Sequence, residues 1–405
     1  MKKGSSIRYR AHRSGRYRRK FRRFLGGGWP RFAALAAALL LLAGGTWWGV
    51  SALGRRGEAS APAAKVTPGA AATATPKPSP VAQDIVDLTD GAKVLTTTDN
   101  SLGFPGVSAD GVLYAAGTGS LDQPVLKTLY FHSFKTDEAE KIAEAKVKNG
   151  EIYETLCNDK WFVWVDTNRA GSNVIRAMNR ESKEITDLKT CKNQMPKLRM
   201  SGDFVIFTEQ TGEEEDTLYL VDLVSQENIA LATFQDATTY AVSAPSVWNN
   251  EIVWAGADPA DESGATSAIY RFRILDPMPD DVKPDVIRTG TYVHEPMTNG
   301  KVLVWIDANK GPSPNLYISV DGGETKLVES AITSYALTDD FVVYAREGTI
   351  YLYAWETDTY AQLTPAGTRA IQPAASGETV VWYDATDATK PDQLVYRRVT
   401  PDLLK

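Results

Sequence analysis

The sequence predicts an all-β fold built from about seven copies of one four-stranded unit, and two columns of residues predict it. An apolar strand ends in an aromatic at Tyr114, Trp164, Phe207, Trp254, Trp305, Tyr344 and Trp382, at intervals of 50, 43, 47, 51, 39 and 38 residues. A second column follows as Leu129-Tyr130, Leu218-Tyr219, Ile269-Tyr270, Leu316-Tyr317, Ile350-Tyr351 and Val395-Tyr396, with Ile175-Arg176 departing from it in the second unit. A period of about 40–50 residues is that of a β-propeller blade and too long for most two-helix repeats.

Each aromatic strand is expected to be the second of its blade. A turn pair precedes six of them: Asp110-Gly111, Asn158-Asp159, Ser201-Gly202, Asn249-Asn250, Asn299-Gly300 and Ser376-Gly377, residues that supply the positive φ of a tight hairpin. Further upstream Pro105, Pro196, Pro245, Pro296 and Pro373 mark the start of a short first strand, where a missing N–H costs little. Trp161–Asp166, WFVWVD, is apolar on both faces, as a strand sandwiched between two neighbouring sheets must be. The Leu-Tyr column is the third strand, and segments such as Ile185-Thr186 and Leu363-Thr364 are the fourth. The last unit lacks its outer strand, while residues 84–98 read as an outer strand without a blade. Joined, they would close the ring. Residues 84–401 therefore form the propeller, with seven blades; six or eight fit the same spacing.

The N-terminal region is of a different character. Residues 1–31 contain twelve Lys and Arg and no Asp or Glu, whereas the chain after Arg56 has 30 basic and 50 acidic residues. Between them Phe32–Leu53 runs for 22 residues without a charge, enough at about 1.5 Å per residue to cross a bilayer core of about 30 Å. Trp29, Trp47 and Trp48 flank it, and the excess of positive charge before it orients the N-terminus to the cytoplasm. The expectation is one transmembrane helix over 32–53, a basic cytoplasmic tail, and a cell-membrane protein whose C-terminal body is extracytoplasmic. A cleaved signal peptide ending near Ala59-Ser60-Ala61 competes with it, but the apolar run exceeds the usual 7–15 residues. Beside a membrane the basic tail pairs with anionic lipid headgroups rather than nucleic acid. Gly45 and Gly49 form a GxxxG through which two helices could dimerise, a monomeric anchor being the simpler reading. Residues 54–83, rich in Ala, Pro, Thr and Ser, are a disordered, extended linker.

The run Pro296-Met-Thr-Asn-Gly300, Val304-Trp305, Leu316-Tyr317, with Leu218-Tyr-Leu-Val-Asp222 in the third unit, resembles the TolB-type (WD40-like) propeller repeat. The resemblance implies the fold over about 84–401. It implies no single function, because related propellers serve as binding modules, gating domains of peptidases and lyases. A tail, a span and a linker stand where TolB itself has a further domain, which departs from a Tol-type role.

Signals for chemistry are scarce. His132 and His294, the two histidines of the body, have no zinc-ligand spacing and are expected at the surface or in turns. No metal, cofactor or G-x-S-x-G nucleophile is predicted. Ser319-Val-Asp321-Gly-Gly323-Glu-Thr325 resembles one imperfect Asp-box of sialidase-type propellers and reads as a hairpin turn. Cys157 and Cys191 end the first strand and follow the last strand of one blade, near opposite faces, which favours free thiols over a bond.

The carboxylates are more informative. Two residues beyond the aromatic column stand Ala116, Asp166, Glu209, Gly256, Asp307, Arg346 and Asp384, so four strands end in an acid on one face, followed by the longest and most acidic loops. Asp166, Glu209, Asp307 and Asp384 are the candidate binding residues, for a protein or peptide partner in the cell envelope, against the plainer reading that each bonds its own turn. The function expected is recognition or scaffolding. A carbohydrate-active or lyase-type propeller enzyme is the alternative, and a ligand sensor dimerising through its membrane helix a further one.

Overall fold

The computed structural model describes residues 85–404, apart from 96–100, 121–122, 193, 213–214, 236–242, 262–265, 276–277, 279–282, 308–313 and 388–392. The expected tail, span and linker lie outside the described residues.

Seven antiparallel sheets follow one another in sequence. Blade 1 consists of Ser101–Ser108, Gly111–Ser120, Gln123–Ser133 and Glu138–Glu144. Blade 2 is Glu151–Cys157, Trp161–Thr167, Asn173–Asn179 and Ile185–Cys191. Blades 3, 4 and 5 begin at Arg199, Ser246 and Val293, and blades 6 and 7 at Ser334 and Ala370. First strands touch the first strands of the adjacent blades all the way around, so they line the central channel.

The core is divided into seven apolar clusters, each shared by two adjacent blades, and this gives the blade count a second time. The column aromatic of every blade enters the interface with the blade before it: Tyr114 meets blade 7, Trp164 blade 1, and Trp382 blade 6. Neighbours in the same strand face the other way, so Phe162 and Trp164 pack toward blade 1 while Val163 and Val165 pack toward blade 3. Two-sided burial is thus the reason for the uninterrupted apolar run. Trp164, Trp254 and Trp382 bury their indole N–H without an acceptor among the described residues. Apolar packing worth about 3–5 kcal/mol per aromatic therefore outweighs a desolvation cost of about 1–3 kcal/mol.

The second column stacks on the first. In blades 1, 3, 4, 5 and 6 the tyrosine lies directly across from the aromatic, with ring centroids 5.5–5.9 Å apart. In blade 7 Trp382 faces Val395, and Tyr396 is one residue out of that register, pointing into the interface with blade 1 beside Phe134. In blade 2 the place is taken by Arg176. A feature absent from the expectation accompanies the column. The outer strands of blades 1 to 5 each carry one extra residue opposite it: Ile142, Leu188, Leu231, Ile287 and Val328. Such bulges increase the local twist.

The ring closes as expected, with an addition. Lys93–Val94 pairs antiparallel with Val395-Tyr396 and becomes the outer strand of blade 7. Upstream of it, Ile85–Asp87 adds a fifth, parallel strand to blade 6. Leu88 and Leu95 anchor this latch in the clusters on either side of blade 7, and the Arg397 guanidinium donates to the carbonyls of Leu88 and Asp90. A 3-10 turn, Pro401–Leu404, ends the described chain with Leu404 buried against blade 6.

Several local expectations change. Gly202, Asn249, Gly300 and Gly377 take the positive φ foreseen for the turn pairs, but Asn158 instead accepts from the N–H groups of Lys160 and Trp161 with its side chain. Pro105, Pro296 and Pro373 lie inside the first strand at a bulge, not at its start. His132 is buried, not superficial, with Nε2 3.1 Å from Asp137. His294 is half-buried in the first strand of blade 5. The Asp-box-like stretch is the hairpin turn expected, with the Gly323 N–H donating to the Val320 carbonyl at 2.8 Å. Cys157 and Cys191 are buried free thiols on opposite sides of their sheet, pushed up to about 11 and about 12 by burial.

Because Trp382 fills the interface at which the N- and C-terminal strands meet, Trp382→Ala is expected to cost about 3–5 kcal/mol of stability, read from the midpoint of urea unfolding.

Candidate functional site

Two places gather polar chemistry: the face where second strands end, and the channel. The four candidate carboxylates occupy equivalent strand ends on the first of these, and the structure shows how each is used. Asp166 is fully buried and accepts from the N–H groups of Lys146, at 2.6 Å, and Val147, at 3.3 Å, in the connection from blade 1. Its other partner is the Arg176 Nε at 3.5 Å. The connection passes so close that a Cβ on Gly150 would lie 2.8 Å from the Asp166 carboxylate, which explains the glycine. Glu209, 8% exposed, accepts from the Lys192 N–H at 3.3 Å in the connection from blade 2 and pairs with Lys189 at 3.0 Å.

Asp307 and Asp384 are half-buried. The first accepts from the Asn315 amide at 3.0 Å and the second from the Thr386 N–H at 2.9 Å. Blade 6 has the pattern with its charge reversed: Arg346 stands at this position and pairs with Glu329, from the end of blade 5, at 3.1 Å. The position thus ties a second strand to the preceding blade in blades 2, 3 and 6. Asp166 and Glu209 are neutralised by partners of opposite charge, and the part of the predicted ring facing outward is Asp307 and Asp384.

The channel is the site that sequence reasoning missed. In blades 1, 2, 5 and 7 the first strand bulges, and one residue there takes a left-handed backbone: Phe104 (φ 52°), Glu154 (φ 48°), Glu295 (φ 48°) and Gln372 (φ 51°). A non-glycine residue in this region costs on the order of 1–3 kcal/mol and is held only by its surroundings. At Glu295 the surroundings are visible. Its carboxylate pairs with Lys197, just ahead of blade 3, at 2.9 Å, its N–H donates to the Ser243 hydroxyl ahead of blade 4 at 2.7 Å, and its carbonyl accepts from the Tyr335 hydroxyl of blade 6. One residue so ties blade 5 to blade 6 and to the segments that enter blades 3 and 4.

Glu154 lies near the same group of charges. Burial raises its carboxyl above the ordinary value, with Arg199, Lys197 and a hydrogen bond from the Leu198 N–H opposing. For Glu295 burial acts in the same direction, but Lys197 and Arg199 outweigh it and hold the carboxyl below its ordinary value. A faint signal existed in the sequence: the residue before the recurring proline is Phe104, Glu295 and Gln372 in three units, large side chains where a strand start needs none. Among the described residues no cluster of His, Cys, Asp and Glu could hold a metal ion. A surface cavity of about 470 Å³ lies away from the channel, between blades 1 and 2, floored by Phe131 and Phe162 with Arg180 over both rings.

With this geometry the chain is a seven-bladed β-propeller. No family model and no curated protein matches the sequence. Solved structures match in fold. The β-propeller domain of the trilobed protease of Pyrococcus furiosus, described as having an open velcro topology, aligns with a TM-score of 0.55 at 16% identity over 75% of this chain and 97% of its own. The acylaminoacyl peptidase of Pyrococcus horikoshii aligns at 0.54 and 14% identity, over 77% of this chain and 53% of its own, so this chain spans about half that enzyme's length. TolB of Acinetobacter baumannii aligns at 0.39 and 10% identity, over 67% of this chain and 59% of its own. For the two Pyrococcus structures the likeness is one of fold.

Two variants separate the roles of these residues. Asp166→Ala leaves the buried Arg176 with Asp187 alone and strips the Lys146 and Val147 N–H groups of their acceptor, and is expected to lose about 3 kcal/mol of stability in urea unfolding, whereas Asp384→Asn keeps its turn acceptor and is expected to stay within about 0.5 kcal/mol. A raised carboxyl favours the fold below its ordinary pKa of 4.5, and that contribution is lost as pH rises through the folded value. Glu154→Gln should therefore gain stability over the native chain at about pH 7 and little at about pH 4, measured by denaturation at both.

Proposed function

We propose that this protein is a membrane-tethered recognition module whose propeller stands on the extracytoplasmic side and binds another component of the cell envelope through the face where the second strands end. The observation that carries the reading is that Asp307 and Asp384 end the second strands of blades 5 and 7 on one face of a closed ring, the face from which the sequence sends its acidic loops. Binding commonly resides on loops presented by such a scaffold. An excess of 20 acidic residues after Arg56 favours a cationic protein or peptide partner and steers its approach. The basic tail and the apolar span 32–53 would place the module at the membrane, with anionic lipid beside the tail.

Crosslinking in intact cells followed by affinity capture tests this, comparing the native chain with a variant carrying Asp307→Asn and Asp384→Asn. These two residues are chosen because Asp166 and Glu209 are spent on internal ties. A partner captured by the native chain and lost from the variant, at unchanged melting temperature, is the expected result. The same partners from both, or none from either, would remove the face from consideration.

A further inference from the structure

We propose that the cavity beside the latch, between blade 7 and blade 1, binds the phosphate monoester of a small ligand, with Lys93 and Arg398 holding the phosphate and Phe134 and Tyr396 packing against its organic part. The inference does not depend on the face that ends in Asp307 and Asp384 being a recognition surface. Arg398 pairs with Thr379, at the start of the second strand whose far end is Asp384, so the cavity opens on the opposite face.

The cavity measures about 310 Å³ and is lined by Gly91, Lys93, Phe134, Tyr396, Arg397 and Arg398, with no carboxylate among them. Lys93 stands opposite Tyr396 across the latch pairing, and Arg398 lies two residues beyond Tyr396, so all three side chains leave the same side of the sheet. This is the side that meets blade 1, where the Phe134 and Tyr396 rings lie 4.7 Å apart and form an apolar wall. Arg397 alternates to the other side, and its guanidinium is committed to the carbonyls of Leu88 and Asp90. Its charge adds to the positive field without supplying the fork.

The charge of this cavity runs against its surroundings. The chain after Arg56 carries an excess of 20 acidic residues, and exposed lysines elsewhere are mated, Lys160 with Asp203, Lys301 with Glu356 and Lys326 with Asp358. Among the described residues neither Lys93 nor Arg398 forms an ion pair. Asp87, in the latch itself, accepts from the Thr89 N–H at 2.9 Å instead.

Two unmated cations lining one cavity repel each other, and a dianion that meets both removes the repulsion. A phosphate monoester carries about −1.5 to −2 charges at about pH 7 and three acceptor oxygens. A guanidinium takes two of these in a fork, and an ammonium takes the third as a point charge. A carboxylate, with a single charge, leaves one cation unmet. The ring pair receives an organic body, which inorganic phosphate lacks. Soluble phosphate esters and the headgroup of phosphatidic acid share this chemistry.

The test titrates the full-length chain in nonionic detergent micelles, by calorimetry at about pH 7, with phenyl phosphate, dioctanoyl phosphatidic acid and benzoate. Saturable binding of at least one phosphate probe is expected, weakened about tenfold or more by Lys93→Gln and by Arg398→Gln, with benzoate weaker than that probe by a similar factor. Binding of phenyl phosphate identifies a soluble ester as a ligand; binding of the lipid alone identifies a headgroup. Both side chains are exposed, so the variants are expected to keep the native midpoint of urea unfolding, and loss of binding then reports the site. The basic residues of 1–31 remain in both variants, so lipid binding indifferent to the two substitutions belongs to that tail and would overturn the inference. No saturable binding of either phosphate probe would overturn it as well, as would benzoate binding as tightly as the phosphates.

Discussion

Every blade of this protein is apolar on both of its faces, and a sheet of that kind has no stable existence except between two others. The seven interface clusters are the direct expression of this constraint, and ring closure follows from it. An open arc would leave one side of blade 1 and one side of blade 7 in water, exposing Tyr114, Val381 and Tyr383 among others. The latch resolves the difficulty by drawing the two ends of the propeller into one sheet, and by burying Leu88 and Leu95 on the two sides of that sheet. The additional parallel strand, Ile85–Asp87, extends the grip of the latch to blade 6.

A ring made of near-identical wedges has few places at which to be individual, and the departures from the repeat are informative for that reason. Arg176 replaces the stacking tyrosine of blade 2 and is balanced by Asp166 and Asp187, each 3.5 Å away. Arg346 and Glu329 exchange the signs seen at Glu209 and Lys189. The Glu209–Lys189 and Arg346–Glu329 pairs hold a second strand to the blade before it, whereas Arg176 ties together the second, third and fourth strands of its own blade. Their charges are consumed internally, and little of them is left to act on a partner.

The channel obeys a different economy. Four first strands adopt a left-handed residue at the same level, a cost borne four times, and at two of these the residue is a glutamate set among cations. Glu295 offsets that cost by bonding to blade 6 and to the segments that enter blades 3 and 4. Glu154 does not, since burial disfavours its charge more than Arg199 and Lys197 favour it, and among the described residues it forms no ion pair within 4.0 Å. Groups retained against stability in this way are where function is usually found.

The repeat length, the aromatic column, the second-strand position and the closing role of the segment that holds residues 85–95 were legible in the sequence, because burial on two faces writes itself as an uninterrupted apolar run at a fixed period. The outer-strand bulges at Ile142, Leu188, Leu231, Ile287 and Val328 were not, since an extra residue in one strand of a ladder leaves composition unchanged. Of the candidate site, the sequence placed Asp166, Glu209, Asp307 and Asp384 on one face but could not say that the first two are turned inward against backbone N–H groups. Glu154, Lys197, Arg199 and Glu295 lie up to 141 residues apart and were invisible as a group. Period and polarity are local properties, which a chain states by itself; the meeting of side chains from blades 2, 3 and 5 exists only once the ring has closed.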